Sequence, residues 1–367
     1  MTDMVRAAVQ VAPGQMELRE FPRPRTGPDD GLLRVEANGI CGSDVETFRG
    51  HLGGPRPAFI PGHEPLGIVE EVGERAAERW GVQPGDRVAV EVIVPCRACR
   101  DCLTGRYQFC PNRKYGHGVT GIAAPPALWG GLAGHMYLSP TSVLHKVDNA
   151  LPVEVAALYN AMGAGVRWAC HLGEVRIGET VLVLGAGQRG IAAVVAARAA
   201  GAGTIIITGL AADAHKLALA RELGADHTIV VDGNAAENTV ERVSEITGGD
   251  MADLALELTP MAAEPITDAL LAVRRGGRVV LAGLKGNREI PLRTDLVINR
   301  ALTVRGAFGV DARGMEDAIA LIESRRFPLQ KMHTHTFGLD DTALAIRTLG
   351  GEVPGERAIG VCVQPGP

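Results

Sequence analysis

The sequence predicts an α/β protein of two domains, a β-rich domain followed by a doubly wound parallel sheet, and three observations carry that prediction. The chain has 367 residues, more than one hydrophobic core usually serves. Its punctuation changes near residue 153, from short apolar runs broken by Gly and Pro to apolar strands alternating with helical stretches. One of those strands runs directly into Gly185-Ala186-Gly187-Gln188-Arg189-Gly190 and then into a small-residue helix.

In the first part, Gly67 to Val72 and Arg87 to Val94 read as strands separated by turns such as Pro84-Gly85-Asp86. In the second, Val181–Leu184, Thr204–Thr208, Thr228–Val231, Leu254–Leu258 and Arg278–Ala282 are continuous apolar runs of buried-strand length. Between them Ile191–Ala200, Asp213–Leu223, Ala236–Thr247 and Ala262–Arg274 read as helices. Strands and helices in alternation predict a parallel sheet covered on both faces. The expected boundaries are 1–152, 153–302 and a tail, 303–367, too small to stand alone. The strand-like segment Ala301–Gly306 is expected at a sheet edge. Pairing that edge across a two-fold axis would make a homodimer or homotetramer.

Apolar residues make up 46% of the chain and charged ones 22%, ordinary globular usage that argues against disorder. The formal charge is −5 with no Lys/Arg-rich run, so no surface is expected to track phosphates and no nucleic-acid partner is expected. The most apolar helix, Ile191–Ala200, is short and carries Arg198, so no membrane partner is expected. Met1-Thr2-Asp3-Met4 lacks the basic region and apolar core of a signal peptide, and the expectation is a cytoplasmic protein. Cys170 and Cys362 are then expected as buried free thiols.

Four of the seven cysteines, Cys96, Cys99, Cys102 and Cys110, form a C-x2-C-x2-C-x7-C run. Thiolates at that spacing can converge on one tetrahedral zinc, whereas neighbours this close cannot all form unstrained disulfides. Four sulfurs leave no open position for chemistry, so the run describes a structural site. Upstream, Gly62-His63-Glu64 follows Cys41-Gly42-Ser43-Asp44 by about twenty residues and adds Cys, His and Glu, all zinc ligands. In the G-x-G-x-x-G segment, Gly185 permits a tight turn, Gly187 lets backbone N–H groups approach a pyrophosphate, and Gly190 allows close helix–strand packing. Gln188 and Arg189 open the helix beside them. The strand Thr204–Thr208 ends in Gly209, where an acid would hydrogen-bond a ribose 2′-OH and repel a 2′-phosphate. That repulsion is missing, which favours NADP and leaves NAD open.

Taken together and in this order, the G-H-E segment, the four-cysteine lobe and the glycine motif resemble the zinc-dependent medium-chain alcohol dehydrogenases, including the sorbitol and threonine dehydrogenase branches. The resemblance implies a GroES-like catalytic domain, a Rossmann domain, and a tail that returns to the catalytic domain. It implies Cys41, His63 and Glu64 as ligands of a catalytic zinc, and Ser43 as the hydroxyl that passes the substrate proton outward. The family's third ligand falls at Asn160, a neutral amide where relatives carry Cys, Asp or Glu. Glu46 stands where relatives often carry a relay histidine, and Glu46 or His51 would be the onward proton acceptors. The implied activity is hydride transfer between an alcohol or polyol and NAD(P)+, giving an aldehyde or ketone, on a small-molecule substrate. Two other readings stay open: an NADPH-dependent carbonyl or enone reductase without a catalytic zinc, and a catalytically silent dinucleotide-binding protein. Leu128, Trp129, Tyr115 and Phe308 are expected around an apolar cleft, with no cluster of arginines for an anion.

Overall fold

The computed structural model describes residues 3–54 and 56–366, and the chain divides into two compact units. The first comprises residues 1–160, 319–324 and 333–367. The second comprises residues 161–318 and 325–332. The boundary expected at 152/153 therefore falls at 160/161, because the segment after Pro152 packs with the β-rich unit. The one expected at 302/303 lies further along, because the strand Thr303–Gly306 and most of the helix after it belong with the parallel sheet.

In the first unit, β1 (Met4–Ala12) and β2 (Gln15–Pro22) form an antiparallel hairpin. The long strand β3 (Gly31–Ile40) is the centre of a seven-stranded sheet. It pairs antiparallel with β4 (Pro65–Val72) and with β6 (His135–Leu138), while β5 (Arg87–Val90) bridges β4 to β7 (Leu144–Lys146). Its C-terminal end, Asn38 to Ile40, pairs with the late strand Gly360–Gln364, which lies parallel to His333–Gly338. The tail thus returns to complete the first sheet. Leu33, Val35, Val69, Val88, Val90, Met136 and Leu138 close one core of this unit. A second core gathers Val5, Val9, Ile40, Val45, Phe48, Ile60, Leu132, Ile346 and Val361. Ile40 and Val45 flank Cys41, so the residues on either side of the first candidate ligand are fixed by packing.

The second unit is built on six parallel strands: β8 (Thr180–Leu184), β9 (Thr204–Gly209), β10 (His227–Val230), β11 (Ala252–Glu257), β12 (Val273–Leu281) and β13 (Thr303–Gly306). Their order across the sheet is β10-β9-β8-β11-β12-β13. Leu182, Leu184, Ile206, Ile229, Ala255 and Val279 are buried in its core, which explains why these strands read as continuous apolar runs rather than alternating ones. The chain order reverses direction between β8 and β11, and open α/β sheets bind ligands just beyond the strand ends at such a point. β13 is an edge strand with Thr303, Arg305 and Gly306 exposed, as expected of the Ala301–Gly306 segment. Among the described residues no helix is long and apolar enough to cross a membrane.

Candidate metal centres and coenzyme site

Cys41 leaves the end of β3 and caps the N-terminus of the helix α1 (Gly42–Phe48). The Ser43 backbone N–H donates to Cys41 Sγ at 3.2 Å, and the Cys41 N–H donates to Asp44 Oδ2 at 2.9 Å. This reciprocal cap fixes the thiol, Ser43 and Asp44 in one turn. His63 comes from the loop before β4. Gly62 has φ +95° there, and a Cβ would lie 2.6 Å from the Leu132 nitrogen, so only glycine lets the chain turn His63 inward.

The imidazole is buried against α1. Its Nδ1 lies 3.0 Å from Asp44 Oδ1, while Nε2 lies 3.4 Å from Cys41 Sγ and 3.3 Å from Ser43 Oγ. Ser43 Oγ is also 2.7 Å from Cys41 Sγ. Burial opposes a charge on His63, but the Asp44 carboxylate and Cys41 overcome it and raise its pKa well above the ordinary value. Sulfur and nitrogen ligands of one tetrahedral zinc stand about 3.5 Å apart at usual bond lengths, so Cys41 Sγ and His63 Nε2 fit a shared ion. Cys41, Asp44 and His63 all offer ligand atoms within 4.8 Å of one another. Asp44, however, already accepts from the Cys41 backbone and faces Nδ1, the usual task of a carboxylate that orients a ligating histidine. Asp44 is a site residue that the sequence reading did not single out.

Glu64 is buried, with Oε1 3.8 Å from His63 Nε2. It has room because residue 39 is glycine: a Cβ there would be 2.6 Å from Glu64 Oε2. Asn160 is buried near the start of the helix Tyr159–Val166, next to Tyr159, whose hydroxyl donates to the carbonyls of Pro65 and Val90. Glu46 and His51 are drawn elsewhere. Glu46 Oε2 is 2.7 Å from His51 Nδ1, its Oε1 accepts from Arg49 at 2.9 Å, and Arg49 continues to Glu352. Neither lines the cavity of about 210 Å³ that holds Ser43, Asp44 and His63. The apolar wall of that cavity is Phe59, Pro61, Val92, Val119 and Ile346. Leu128 and Trp129 are instead core residues, and Tyr115 stacks on Trp129 with ring centroids 4.7 Å apart.

The four-cysteine run closes on itself. Cys96, Cys99, Cys102 and Cys110 bring their sulfurs within 4.8 Å of one another, with Cys99–Cys102 at 3.4 Å, Cys96–Cys102 at 3.8 Å and Cys99–Cys110 at 3.9 Å. Sulfurs around one tetrahedral zinc stand about 3.8 Å apart. The Cys99 N–H donates to Cys96 Sγ and the Cys96 N–H to Cys110 Sγ, so the loop backbone points at the thiolates. Backbone N–H groups of Ala98 and Cys99 lower Cys96 to about 6. Burial and the neighbouring thiols push Cys102 up to about 12. Sulfurs this close offer four ligand atoms to one cation, which would offset the repulsion between thiolates. Cys170 and Cys362 are free, Cys362 buried and Cys170 half-buried, and burial raises both thiols to about 11.

In the second unit, β8 is followed directly by Gly185, with φ +110°, and the helix Gln188–Ala199 begins with Gly187 as its cap. A Cβ on Gly190 would lie 1.9 Å from the Gly185 carbonyl oxygen, so helix and turn approach to a distance only glycine allows. A Cβ on Gly187 would meet nothing within 4 Å, which leaves open space before the helix N-terminus. Arg189 lies over the Trp168 ring, 5.6 Å from its centroid. Gly209 ends β9 as expected, but a Cβ there would stand 3.0 Å from Leu217 Cδ2 and 3.1 Å from Ala186 Cβ. Lys216, the nearest cation in the following helix, is paired with Asp213 at 2.7 Å.

Comparison with known proteins agrees with this architecture. Residues 27–149 match the alcohol dehydrogenase GroES-like domain and residues 190–324 match the zinc-binding dehydrogenase family. The chain is 40% identical to the protein called "Probable alcohol dehydrogenase adh" of Mycobacterium tuberculosis (strain ATCC 25618 / H37Rv) over 96% of both. It is 33% identical to the erythritol/L-threitol dehydrogenase of Mycolicibacterium smegmatis over 92% of both. Among solved structures, an alcohol dehydrogenase of Thermotoga maritima superposes with a TM-score of 0.87 at 26% identity, covering 99% of this chain and all of that one. A zinc-binding dehydrogenase of Sinorhizobium meliloti 1021, solved bound to NADP, gives 0.84 at 26% identity over 99% and 100%. With both family domains present in the expected order, and with the thiol, imidazole and glycine motif placed as described, the chain belongs to the zinc-binding, medium-chain alcohol dehydrogenases.

Proposed function

We propose that this protein oxidises an alcohol or polyol to the aldehyde or ketone, with hydride passing to NADP+, in a site organised by Cys41, His63 and Ser43. The observation that carries the proposal is the triangle of Cys41 Sγ, His63 Nε2 and Ser43 Oγ, with sides of 2.7, 3.3 and 3.4 Å, of which Ser43 and His63 line a cavity. Cys41 and His63 would hold zinc with Glu64 beside them, and Asn160 would be a weak neutral ligand or a neighbour of one. Zinc bound there supplies Lewis acidity that lowers the pKa of an alcohol.

The chain's own groups supply the rest. Asp44 accepts from His63 Nδ1 and so orients the ring with Nε2 toward Cys41 Sγ, where a shared ion would sit. Ser43 Oγ is placed to accept a substrate hydroxyl proton and pass it on. Glu46 and His51 pair with one another and Glu46 with Arg49, so neither is assigned to that path. The open space at Gly187 accepts the pyrophosphate on backbone N–H groups. Because Gly209 offers no carboxylate, a 2′-phosphate meets no repulsion, and the S. meliloti relative is bound to NADP. The edge strand β13 and the exposed Leu292 and Ile298 near it in sequence support a homodimer or homotetramer.

The test is a panel of alcohols and polyols, including erythritol and sorbitol, with both coenzymes and zinc-loaded protein. Alcohol-dependent reduction of NADP+ that disappears in Cys41→Ser and falls by two or more orders of magnitude in Ser43→Ala supports the proposal. Turnover indifferent to both substitutions contradicts it.

A further inference from the structure

We propose that Arg56 selects substrates whose alcohol sits near an anionic group, a carboxylate or a phosphate ester. This inference rests on the dehydrogenase reading above and narrows its substrate class.

The cavity holding Ser43 and His63 adjoins a second cavity of about 430 Å³, and Gln10, Thr47, Arg56 and Phe59 line both. Among the described lining residues of the two, Arg56 is the only lysine or arginine and Asp44 the only carboxylate. Asp44 is committed to His63 and to the Cys41 backbone. Arg56 makes no ion pair with any described carboxylate, whereas nine of the sixteen arginines of the β-rich unit do: Arg6, Arg19, Arg23, Arg34, Arg49, Arg75, Arg79, Arg87 and Arg106. An arginine left unpaired beside a reacting site offers a planar fork of donors that fits a carboxylate or phosphate.

The guanidinium is also positioned. It lies over the Phe59 ring, 5.1 Å from the centroid, and Phe59 is buried at the wall shared by both cavities. Behind it stands Gly53, where a Cβ would come within 1.5 Å of Arg56 Nη2. Any side chain at position 53 would drive the guanidinium from this place. The remaining wall, Val11, Ala12, Pro13, Leu52 and Pro57, is apolar and supplies no competing polar group. A substrate with its hydroxyl at Ser43 and its anionic end at Arg56 would use both cavities, and a neutral alcohol would leave the guanidinium unanswered.

The experiment measures kcat/KM of the zinc-loaded enzyme for hydroxy acids, polyol phosphates and neutral alcohols of matching chain length, in the unmodified protein, Arg56→Gln and Gly53→Ala. The expected result is an advantage of about 10- to 100-fold for one anionic class, lost in Arg56→Gln, with the neutral alcohols unchanged. Gly53→Ala keeps the charge but displaces it, and should lose the same advantage. The hydroxy-acid and phosphate arms identify which anion is read. If neutral alcohols are turned over as well as anionic ones, or Arg56→Gln slows both alike, the inference falls while the dehydrogenase reading stands. If no alcohol of any class reduces NAD+ or NADP+, both fall.

Discussion

At the scale of single residues, Asp44 shows how one carboxylate positions two candidate ligands, and His117 shows how burial sets charge. Asp44 Oδ1 faces His63 Nδ1 while Oδ2 accepts from the Cys41 backbone, so one carboxylate holds both candidate ligands in register. Asp44→Asn keeps the shape and removes the charge, and zinc affinity at that site should fall about 10- to 100-fold in a competition titration against a chromophoric chelator. Unchanged affinity would show that Asp44 does not orient the ligand. His117 is fully buried, its Nε2 2.9 Å from Ser142 Oγ, and burial lowers it to about 4. A histidine so depressed is neutral in the fold, while the unfolded chain takes up the proton below about 6.5. Its contribution is therefore complete above about pH 6.5 and is lost as pH falls toward about 4. Between pH 7.5 and pH 5 the unmodified protein should lose about 2 kcal/mol more stability than His117→Gln, by urea midpoints at each pH. Parallel pH profiles would contradict the assignment.

Residues also mark what the sequence makes legible. Cys41 and His63 stand out because their types and spacing admit few other tasks. Asp44 does not, since an acid one residue beyond a serine is an ordinary helix-start residue until its two hydrogen bonds are seen. Arg56 is equally silent in sequence, because its meaning lies in what fails to pair with it. Glu46 and His51 are plausible relay groups by position alone, but Arg49 is close enough to claim the carboxylate. Leu128 and Trp129 follow the common fate of large apolar residues, which is core packing.

At the scale of elements, the four-cysteine loop and the turn after β9 carry separate predictions. The loop has little apolar core of its own: Leu103 and Phe109 are exposed, and the helix Arg100–Leu103 buries nothing. Its order then depends on the metal. Cys102→Ser should lose one zinc per chain and unfold at lower temperature, with amide exchange raised in residues 96–112 and little changed in β8 to β12. Full zinc content with an unchanged thermal midpoint would refute it. In the proposed reading, the turn after β9 sets coenzyme choice. Introducing an acid at Gly209 would press on Leu217 and Ala186, so the variant mixes a steric cost with the charge. The unmodified protein decides the matter more cleanly: kcat/KM should favour NADP+ over NAD+, and a clear NAD+ preference would refute the proposal. The strands were legible because a parallel sheet buries both faces and erases alternation. The boundaries were less so, since β13 is short and half-exposed, and a chain reading cannot tell which sheet such an edge joins.

At the scale of the whole molecule, the β-rich unit carries two candidate metal sites of different character, and the second unit carries a parallel sheet with an open edge. Among the described residues β13 pairs only with β12, and Ile298 is 71% exposed close by in sequence. An edge of this kind invites a second copy. Sedimentation at micromolar concentration should show a dimer or tetramer, and only a 38.5 kDa species would exclude it.

The central claim is that Cys41 and His63 form a zinc site distinct from the four-cysteine lobe. Zinc stoichiometry by mass spectrometry, on protein dialysed against zinc and then against buffer, tests it most directly. The unmodified chain should carry two zinc ions, Cys41→Ser one and Cys102→Ser one. A Cys41→Ser protein that still held two, or an unmodified protein that never held more than one, would contradict the claim.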